Sequence, residues 1–464
     1  MPNFRINGPP PIFRLYDDLL LHIFNLNTLT DDDLIDNFYW RPEISLVSAR
    51  HTSQVCTSWR SLTLASSSLW ANTINLKHLD QKDDNWRREI LTRTGDSLIS
   101  VMGDLCEGRP TTEFFLSLLG NHWTRLRRIR ITIRDRAIGE DKRWLSTQSP
   151  APNLEIFRVY FPSRPAFSTT DDTLFSNMAP SIHTLITSSI DFKLSGRWLS
   201  RVRHLSLYDC SVSQTVLFAL AEMMALENLH MMGVDITDIG TEDRFWPTII
   251  LPNLKRIYLA VKLRTLIVLM GHIAPTSGCI SEYESVNNSI PNPSIEEISL
   301  LRRGFSSHFQ SYSDFRRNMT IPCTMTKDLF DLGNVLRGDN NIEFYLHIEI
   351  DLGSEWHGIP DIILNSLYSC DLSSIKTLEL AITNATFNLH LTRFYRSPSS
   401  VATLYTDSQM MELLLQTQER LNGVTRRCTY HKLRFIRLHF TRSGEAALPG
   451  RDRRAQCEEI RDEM

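Results

Sequence analysis

Three features are scarce in this chain of 464 residues: long apolar runs, clustered cysteines and an excess of charge of one sign. No stretch reaches the roughly 18 uncharged apolar residues that a membrane span needs. The best candidate, Ile257–Met270, is interrupted by Lys262 and Arg264. The net charge of −3 gives no general attraction for polyanions. The sequence therefore predicts neither a membrane span nor nucleic-acid binding.

The eight cysteines are scattered, without a Cys-x-x-Cys pair or a neighbouring His-x-x-x-His sequence. This pattern favours reduced thiols and predicts no structural metal. Residues 1–11 form a proline-rich, flexible leader that lacks the basic head and apolar run of a secretory signal. We therefore expect a cytoplasmic or nuclear location.

Catalytic motifs are also missing from the sequence. It contains no Gly-x-Ser-x-Gly, no Gly-x-x-x-x-Gly-Lys and no His-Glu-x-x-His. Histidines such as His204 and His230 stand singly, and a lone histidine at a strand position is more often a surface residue than a base. The sequence thus predicts no catalytic residue, no cofactor and a protein that is not an enzyme. A hydrolase or transferase within the segment Gly304–Ile350 stays open as an alternative.

Two apolar stretches near the N-terminus, Ile12–Phe24 and Val55–Trp70, are predicted to form helices. In the first, Leu15, Leu19 and Ile23 recur every four residues, which is the spacing of one helix face. Short helices this rich in Leu, Ile and Trp expose more apolar surface than about sixty residues can cover among themselves. We therefore expect the surplus surface to bind a partner.

These two stretches resemble the F-box family, whose pattern runs roughly Leu-Pro-x-Glu-Leu-Leu-x-x-Ile-Phe, then Val-Cys-x-x-Trp-Arg, then Leu-Trp. The sequence differs by having Tyr16 at the usual proline and an acidic, aromatic insert around residues 31–40. The resemblance implies an F-box over residues 12–72 that binds a Skp-type adaptor and, through it, a cullin. The residues expected to bind the adaptor are Leu15, Leu19, Leu20, Ile23, Phe24, Val55, Cys56, Trp59, Leu62, Leu69 and Trp70.

Residues 73–123 are predicted to form a helical connector. Trp86–Leu91 and Glu113–Leu119 both carry apolar residues at helical spacing. The connector resembles those that follow the F-box in large families of mushroom-forming fungi, which suggests a fungal source.

From Thr124 onward a short pattern recurs, with apolar residues at its first, fourth and sixth positions. The early copies start 20 to 28 residues apart, within the range of about 20–29 that leucine-rich repeats show. The copies begin at Leu126, Leu154, Ile182, Val202, Leu226, Leu254, Ile295, Ile375 and Leu433.

The predicted fold is α+β multidomain, with N-terminal all-α F-box-like helices followed by an α/β leucine-rich-repeat-like solenoid. The solenoid is expected over residues 124–441, irregular in its C-terminal third, and a charged tail over residues 442–464. An unrelated α/β domain with short parallel strands stays open as the alternative. In the irregular third we expect helices near Thr326–Leu336 and Asp407–Leu421, a strand near Ile342–Ile350 and an irregular loop around Ser277–Pro293.

Within each predicted strand, the residues that alternate with the apolar ones point away from the core. In the early copies they are basic or aromatic. This predicts a surface for an acidic or phosphorylated target protein, because arginine pairs with carboxylate and phosphate through two hydrogen bonds. An ordinary solvated strand face is the alternative. The candidate target-binding residues are Arg128, Arg130, Arg158, Tyr160, His204, Tyr208, His230, Arg256 and Tyr258.

Together, the F-box resemblance and the repeat pattern indicate a substrate-receptor subunit of a cullin-based (SCF-type) ubiquitin ligase. The F-box would bind the adaptor and the repeat domain would bind the target. A repeat-based interaction scaffold without a role in degradation stays open as the alternative.

Overall fold

The computed structural model describes most of the chain and divides it into two compact units, Met1–Val202 and Arg203–Met464. The described residues are 11–27, 45–165, 167–169, 172–213, 215–237, 246–285, 294–315, 319–326, 329–335, 342–349, 359–382, 400–406, 410–412 and 435–438.

The first unit begins with short helices. Tyr16 lies at the N-cap of the first α-helix in an extended conformation, with a φ of −69°. The helices of this unit are α1 (Asp17–Leu26), α2 (Ser45–Thr52), α3 (Thr57–Ala65), α4 (Ser67–Asn72), α5 (Asn85–Arg93), α6 (Pro110–Asn121) and α7 (Arg136–Gly139). Its 3-10 helices are Pro11–Arg14, Leu76–Leu79, Trp123–Arg125, Lys142–Gln148, Leu174–Asn177 and Arg197–Arg201.

Side chains at the start of α3 and α4 satisfy amides that a helix N-terminus leaves without an intrahelical partner. The Cys56 thiol accepts a hydrogen bond from the Trp59 amide at 3.4 Å, and the Ser66 hydroxyl accepts one from the Leu69 amide at 3.4 Å. Such caps fix where each helix begins. Cys56 and Ser66 therefore determine where α3 and α4 begin.

The strands of the first unit lie side by side in chain order and run parallel. Leu, Ile, Val and Phe residues on one side of each strand are buried, as the alternation of side chains along a strand requires. The strands are β1 (Ile74–Asn75), β2 (Ile99–Leu105), β3 (Leu126–Ile133), β4 (Ile156–Tyr160) and β5 (Thr184–Ser188).

The second unit has a larger sheet and four helices among its described residues. Its strands are β6 (His204–Tyr208), β7 (Ser211–Ser213), β8 (Asn228–Met232), β9 (Asp235–Thr237), β10 (Ile249–Ile250), β11 (Arg256–Val261), β12 (Ile273–Ala274), β13 (Ile280–Ser285), β14 (Met319–Met325), β15 (Leu329–Val335), β16 (Ile342–Glu349), β17 (Ile375–Ile382), β18 (Thr403–Thr406) and β19 (Phe435–Leu438). Its helices are α8 (Thr215–Glu222), α9 (Leu263–His272), α10 (Ile295–Phe315) and α11 (Ile359–Leu367).

In the main sheet of the second unit the strand order is β6-β8-β11-β13-β16-β15-β14-β17-β18-β19. The strand β15 runs antiparallel to both of its neighbours, whereas the other pairings that the structure gives are parallel. Two small parallel pairs, β7 with β9 and β10 with β12, lie outside this sheet. The unit is thus an α/β arrangement with a mostly parallel sheet.

The core of the second unit lies between the sheet and helix α10. Phe344 of β16 contacts Phe305, Phe309 and Tyr312 of α10 at ring-centroid distances of 5.4 to 6.1 Å. The Tyr283 hydroxyl lies 2.7 Å from Nδ1 of the buried His308, whose Nε2 lies 2.9 Å from the carbonyl of Ile273. Because the carbonyl can only accept, Nε2 donates to it and the neutral imidazole accepts at Nδ1. Burial lowers the pKa of His308 to about 4, which keeps the ring neutral.

The predicted leucine-rich-repeat-like solenoid is wrong: the described residues form an α/β fold with mostly parallel sheets and no solenoid. A solenoid adds each repeat beside the preceding one in chain order. In the second unit, by contrast, β16 lies beside β13, and the antiparallel β15 lies between β16 and β14. The alternative, an α/β fold with short parallel strands, agrees with the observed class.

Three local predictions in the second unit are also wrong. The copy at Ile295 opens helix α10 and not a strand, because Ser294 and Glu297 exchange side-chain to backbone hydrogen bonds in a capping box. The predicted helix Thr326–Leu336 contains strand β15. The predicted loop Ser277–Pro293 contains strand β13.

Other predicted elements agree with the structure. Strands are found at the eight remaining copies of the pattern, and β16 lies at the strand predicted near Ile342–Ile350. Residues 73–123 contain the two expected helices, α5 and α6, but also strands β1 and β2, so this segment is not purely helical. The insert around residues 31–40, the charged tail and most of the helix predicted near Asp407–Leu421 fall outside the described residues.

Candidate functional site

The N-terminal helices have a small apolar core of their own. Leu20 and Phe24 of α1, Ala49 of α2 and Leu69 of α4 are buried together. Around them pack the partly buried side chains of Leu15, Leu21, Ile23, Trp59 and Leu62. The Phe24 and Trp59 rings lie 4.9 Å apart, which links α1 to α3. These contacts hold α1 in a fixed orientation on the helices that follow it.

An exposed apolar stripe runs along α1 beside this core. Tyr16, Leu19 and Leu26 are 81%, 50% and 51% exposed, and their spacing places them on one side of the helix. Ile12, before the helix, and Val55, at the turn before α3, are exposed apolar residues as well. A contiguous exposed apolar patch is a feature of protein–protein binding surfaces. We call Tyr16, Leu19 and Leu26 the α1 stripe.

The predicted adaptor residues therefore fall into two groups. Leu19 and Val55 are exposed, and Leu15, Ile23, Cys56, Trp59 and Leu62 are half-buried. Leu20, Phe24, Leu69 and Trp70 are buried. The buried residues hold the helices together, whereas the exposed residues are accessible to a binding partner.

Trp70 joins the N-terminal helices to the rest of the first unit. Its indole Nε1 donates a hydrogen bond to the Thr63 carbonyl of α3 at 2.9 Å. On the α5 side, its ring meets Trp86 edge-on with centroids 6.3 Å apart, and the Arg93 guanidinium lies 4.8 Å from its centroid. A guanidinium over an indole ring adds cation–π attraction to the apolar contact.

In the first unit, the candidate target residues lie on the side of β3 and β4 that faces away from the buried Leu, Ile and Phe residues. Arg130 and Arg158 are paired in the register of β3 and β4. Arg128 forms an ion pair with Glu155, with Nε 3.3 Å from Oε2, and Arg130 is only 6% exposed. Tyr160 is half-buried at the end of β4. We call Arg128, Arg130, Arg158 and Tyr160 the arginine face.

In the second unit, three of the candidate residues form a row of rings across β6, β8 and β11. The centroids of Tyr208 and His230 are 4.9 Å apart, and those of His230 and Tyr258 are 4.3 Å apart. His204 makes a hydrogen bond of 2.7 Å with the Asn228 amide, and Arg256 is exposed. The structure thus brings the aromatic candidate residues of this unit together, and Arg256 is the one arginine among the candidates here.

Next to this row of rings, strand β13 carries two carboxylates that sequence reasoning misses. Glu282 of β13 is paired in register with Tyr258 of β11 and with Tyr345 of β16, and Glu284 is paired with His347. The Tyr258 hydroxyl donates to Glu284 at 3.1 Å. We call the following residues the acidic-aromatic face: Tyr258, Glu282, Glu284, Asp331, Tyr345 and His347.

Ionisation on this face is shifted by burial and by like charge. Partial burial, and then the neighbouring Glu284 carboxylate, raise the pKa of Glu282 to about 7. Burial and the same carboxylate also raise the pKa of Tyr258. On the neighbouring strands, Nδ1 of His347 lies 2.6 Å from Oδ1 of Asp331, which in turn lies 3.3 Å from the Tyr345 hydroxyl. The alternation in Ile-Ser-Glu-Tyr-Glu-Ser at residues 280–285 was the signal for this strand, since it places both glutamates on one side.

A scan against protein-family models found no match, and a search of curated proteins found no similar sequence. In the described part of the chain, no helix is long and apolar enough to cross a membrane.

Proposed function

We propose that this chain is the substrate-receptor subunit of a cullin-based (SCF-type) ubiquitin ligase. In this proposal α1 to α4 bind a Skp-type adaptor, and through it a cullin, while the sheet-bearing part of the chain binds a target protein. The expected location is cytoplasmic or nuclear, where such ligases act.

The observation that carries the proposal is the α1 stripe. It lies on the helix whose sequence matches the F-box pattern, and the buried half of the same helix anchors it to α2, α3 and α4. Covering the exposed halves of Leu19 and Leu26 would contribute about 1 kcal/mol each, since a fully buried leucine contributes about 1.5–3 kcal/mol. Tyr16, also in the stripe, and Val55, at the turn before α3, offer further exposed apolar surface.

Such a receptor works by proximity and needs no catalytic residue of its own. Holding a target near the ubiquitin-conjugating enzyme raises the effective concentration of the reacting groups. The arginine face of the first unit is our candidate for contact with an acidic or phosphorylated target. Glu155 already pairs with Arg128, so an incoming phosphate would compete with that carboxylate.

The adaptor test replaces a residue of the stripe without disturbing the core below it. Leu19→Asp adds a charge to the surface that the adaptor would cover, and we expect adaptor binding to weaken at least about thirtyfold, or ~2 kcal/mol. Phe218→Asp in α8 is the matched control, because Phe218 is also helical and 50% exposed. Leu20→Asp is not suitable, since Leu20 is 4% exposed and a buried carboxylate would unfold the helices.

The measurement is titration of the purified Skp-type adaptor against each full-length variant, with circular dichroism as a check of folding. Adaptor binding that survives Leu19→Asp, or that falls equally with Phe218→Asp, would remove the proposal. Ubiquitin conjugation of a co-purified partner, lost in Leu19→Asp, separates a ligase receptor from a scaffold without a role in degradation.

A further inference from the structure

The acidic-aromatic face lies on the opposite side of the sheet from helix α10. The side chains of Tyr283 and Phe344 point into the core and contact α10. Their strand neighbours Glu282, Glu284 and Tyr345 therefore point the other way, because side chains alternate along a strand. The contacts that fix these outward residues run from strand to strand, as the hydrogen bond from Tyr258 to Glu284 illustrates.

Two carboxylates on this face stand at a distance that an extended peptide can match. Glu282 and Glu284 are two residues apart on β13, so their Cα atoms are separated by about 6.6 Å. Successive side chains on one side of an extended peptide have the same spacing. Two basic residues at alternate positions of such a peptide would therefore each meet one glutamate.

Aromatic rings flank the carboxylates on both sides. In register, Glu282 lies between Tyr258 and Tyr345, on strands about 4.8 Å away on either side. The Tyr345 ring has room because Gly333 stands opposite it on β15, where an added Cβ would come within 2.9 Å of that ring. A guanidinium can pair with a carboxylate and stack on a ring at the same time, which an ammonium does less well.

The negative charge of the face disfavours anionic ligands. Glu282, Glu284 and Asp331 repel phosphate and acidic peptides. A metal ion is not favoured either, because the described residues contain no group of three or more His, Cys, Asp or Glu side chains placed to hold one. A positively charged protein segment is therefore the ligand that complements the charge of this face.

We propose that the acidic-aromatic face of the second unit binds an extended protein segment with arginine at alternate positions. Each of two arginines contacts one of Glu282 and Glu284, and the flanking tyrosine rings cover the guanidinium planes. This binding does not depend on the adaptor, so a negative result with Leu19→Asp would leave it intact.

The test uses the full-length protein and a fluorescent synthetic peptide with arginine at alternate positions between serines and threonines. In the variant Glu282→Gln/Glu284→Gln the amides keep the size of the carboxylates but carry no charge. We expect the dissociation constant measured by fluorescence anisotropy to rise at least about tenfold, which corresponds to 1.4 kcal/mol. The matched control is Glu222→Gln/Glu296→Gln, which neutralises two exposed carboxylates outside this face and should leave the affinity unchanged.

Two further peptides identify the chemistry that is recognised. The same peptide with lysine in place of arginine should bind several-fold more weakly, and a phosphoserine peptide should not bind. Equal loss of affinity in the control variant would mean general charge attraction and would overturn the inference. So would an unchanged affinity in Glu282→Gln/Glu284→Gln, or tighter binding of the phosphoserine peptide.

Discussion

The arginine face of the first unit and the acidic-aromatic face of the second differ in how their charges are balanced. Arg128 has the Glu155 carboxylate of the next strand within 3.3 Å. Glu282, by contrast, has another carboxylate, Glu284, two residues away on its own strand. The first face is therefore partly neutralised from within, whereas the second keeps two glutamates together and has His347 beside Asp331.

This difference has a thermodynamic consequence for each face. A group that is already paired gains little from a ligand, because the ligand must replace the existing partner. A carboxylate that is half-buried beside a second one is stabilised by anything that brings a positive charge or a proton. Burial and then repulsion from Glu284 raise the pKa of Glu282 to about 7.

The largest expected effect concerns the stability of the second unit. The folded pKa of Glu282, about 7, lies above its ordinary value of 4.5. Between these values the folded chain binds more protons than the unfolded one, so the free energy of unfolding falls as pH rises from 4.5 through 7. Glu282→Gln cannot ionise, and we expect it to be more stable than the parent by roughly 2 kcal/mol at pH 8, after allowing for screening by water.

The measurement is urea unfolding at pH 4.5 and pH 8, with hydrogen exchange of the β13 amides to assign the loss to the second unit. At pH 4.5 the two proteins should differ little, because Glu282 is then protonated in the folded parent and half protonated in the unfolded one, a difference of about 0.4 kcal/mol. Glu296→Gln, an exposed carboxylate in the first turn of α10, serves as the control. A parent protein as stable as Glu282→Gln at pH 8 would show that neither burial nor Glu284 raises the pKa of Glu282 appreciably.

A smaller effect is expected in the pH dependence of arginine-peptide binding. Raising the pH from 6 to 8 ionises Glu282, so the affinity should increase, up to about tenfold. The other titratable groups on this face are Tyr258, Glu284, Asp331, Tyr345 and His347. His347 would act in the same direction, because its protonation at low pH also adds positive charge. Anisotropy titrations of Glu282→Gln separate the two: its profile should flatten if Glu282 is the main cause and should keep its slope if His347 is.

The smallest effect concerns Glu155 in the first unit. Glu155→Gln removes the negative charge beside Arg127 and Arg128, which lie 3.8 and 3.3 Å from Oε2. Stability should change by less than about 1 kcal/mol, as is usual for ion pairs of partly exposed side chains. Affinity for a phosphoserine peptide should rise a few-fold, because the arginines then lack their internal competitor. Reduced affinity in this variant would mean that Glu155 positions the arginines and does not compete with the ligand.

The sequence predicts individual strands well because their signal is local. In β3, β6 and β11 the alternation of Leu, Ile and polar residues is enough to place each strand within a few residues. The order of the strands is not local. That β16 pairs with β13, and β15 runs antiparallel beside it, depends on residues far apart in sequence. Helix α10 was misjudged for a related reason, since Ile295 fits both the strand pattern and a helix that the capping box at Ser294 starts.

The candidate sites were predictable to a similar extent. The F-box pattern identifies α1 but does not distinguish Leu19, which is exposed, from Leu20, which is buried. That distinction depends on how α1 rests on α2 and α3, and no local pattern encodes it. Sequence reasoning misses Glu282 and Glu284 because it predicts a loop over their segment. Treated as a strand, the same residues would have indicated an acidic face from sequence alone.

Under the proposed function, the contacts of Trp70 have a consequence for how a target would be held. Its indole ties α4 to α3 through Thr63 and to α5 through Trp86 and Arg93. The helix group that carries the α1 stripe is therefore packed firmly against α5. A target held on the arginine face would then present its lysines at a constant reach and angle from the adaptor. In such a receptor, the orientation that Trp70 fixes would determine which lysines of the target lie within reach of the ubiquitin-conjugating enzyme.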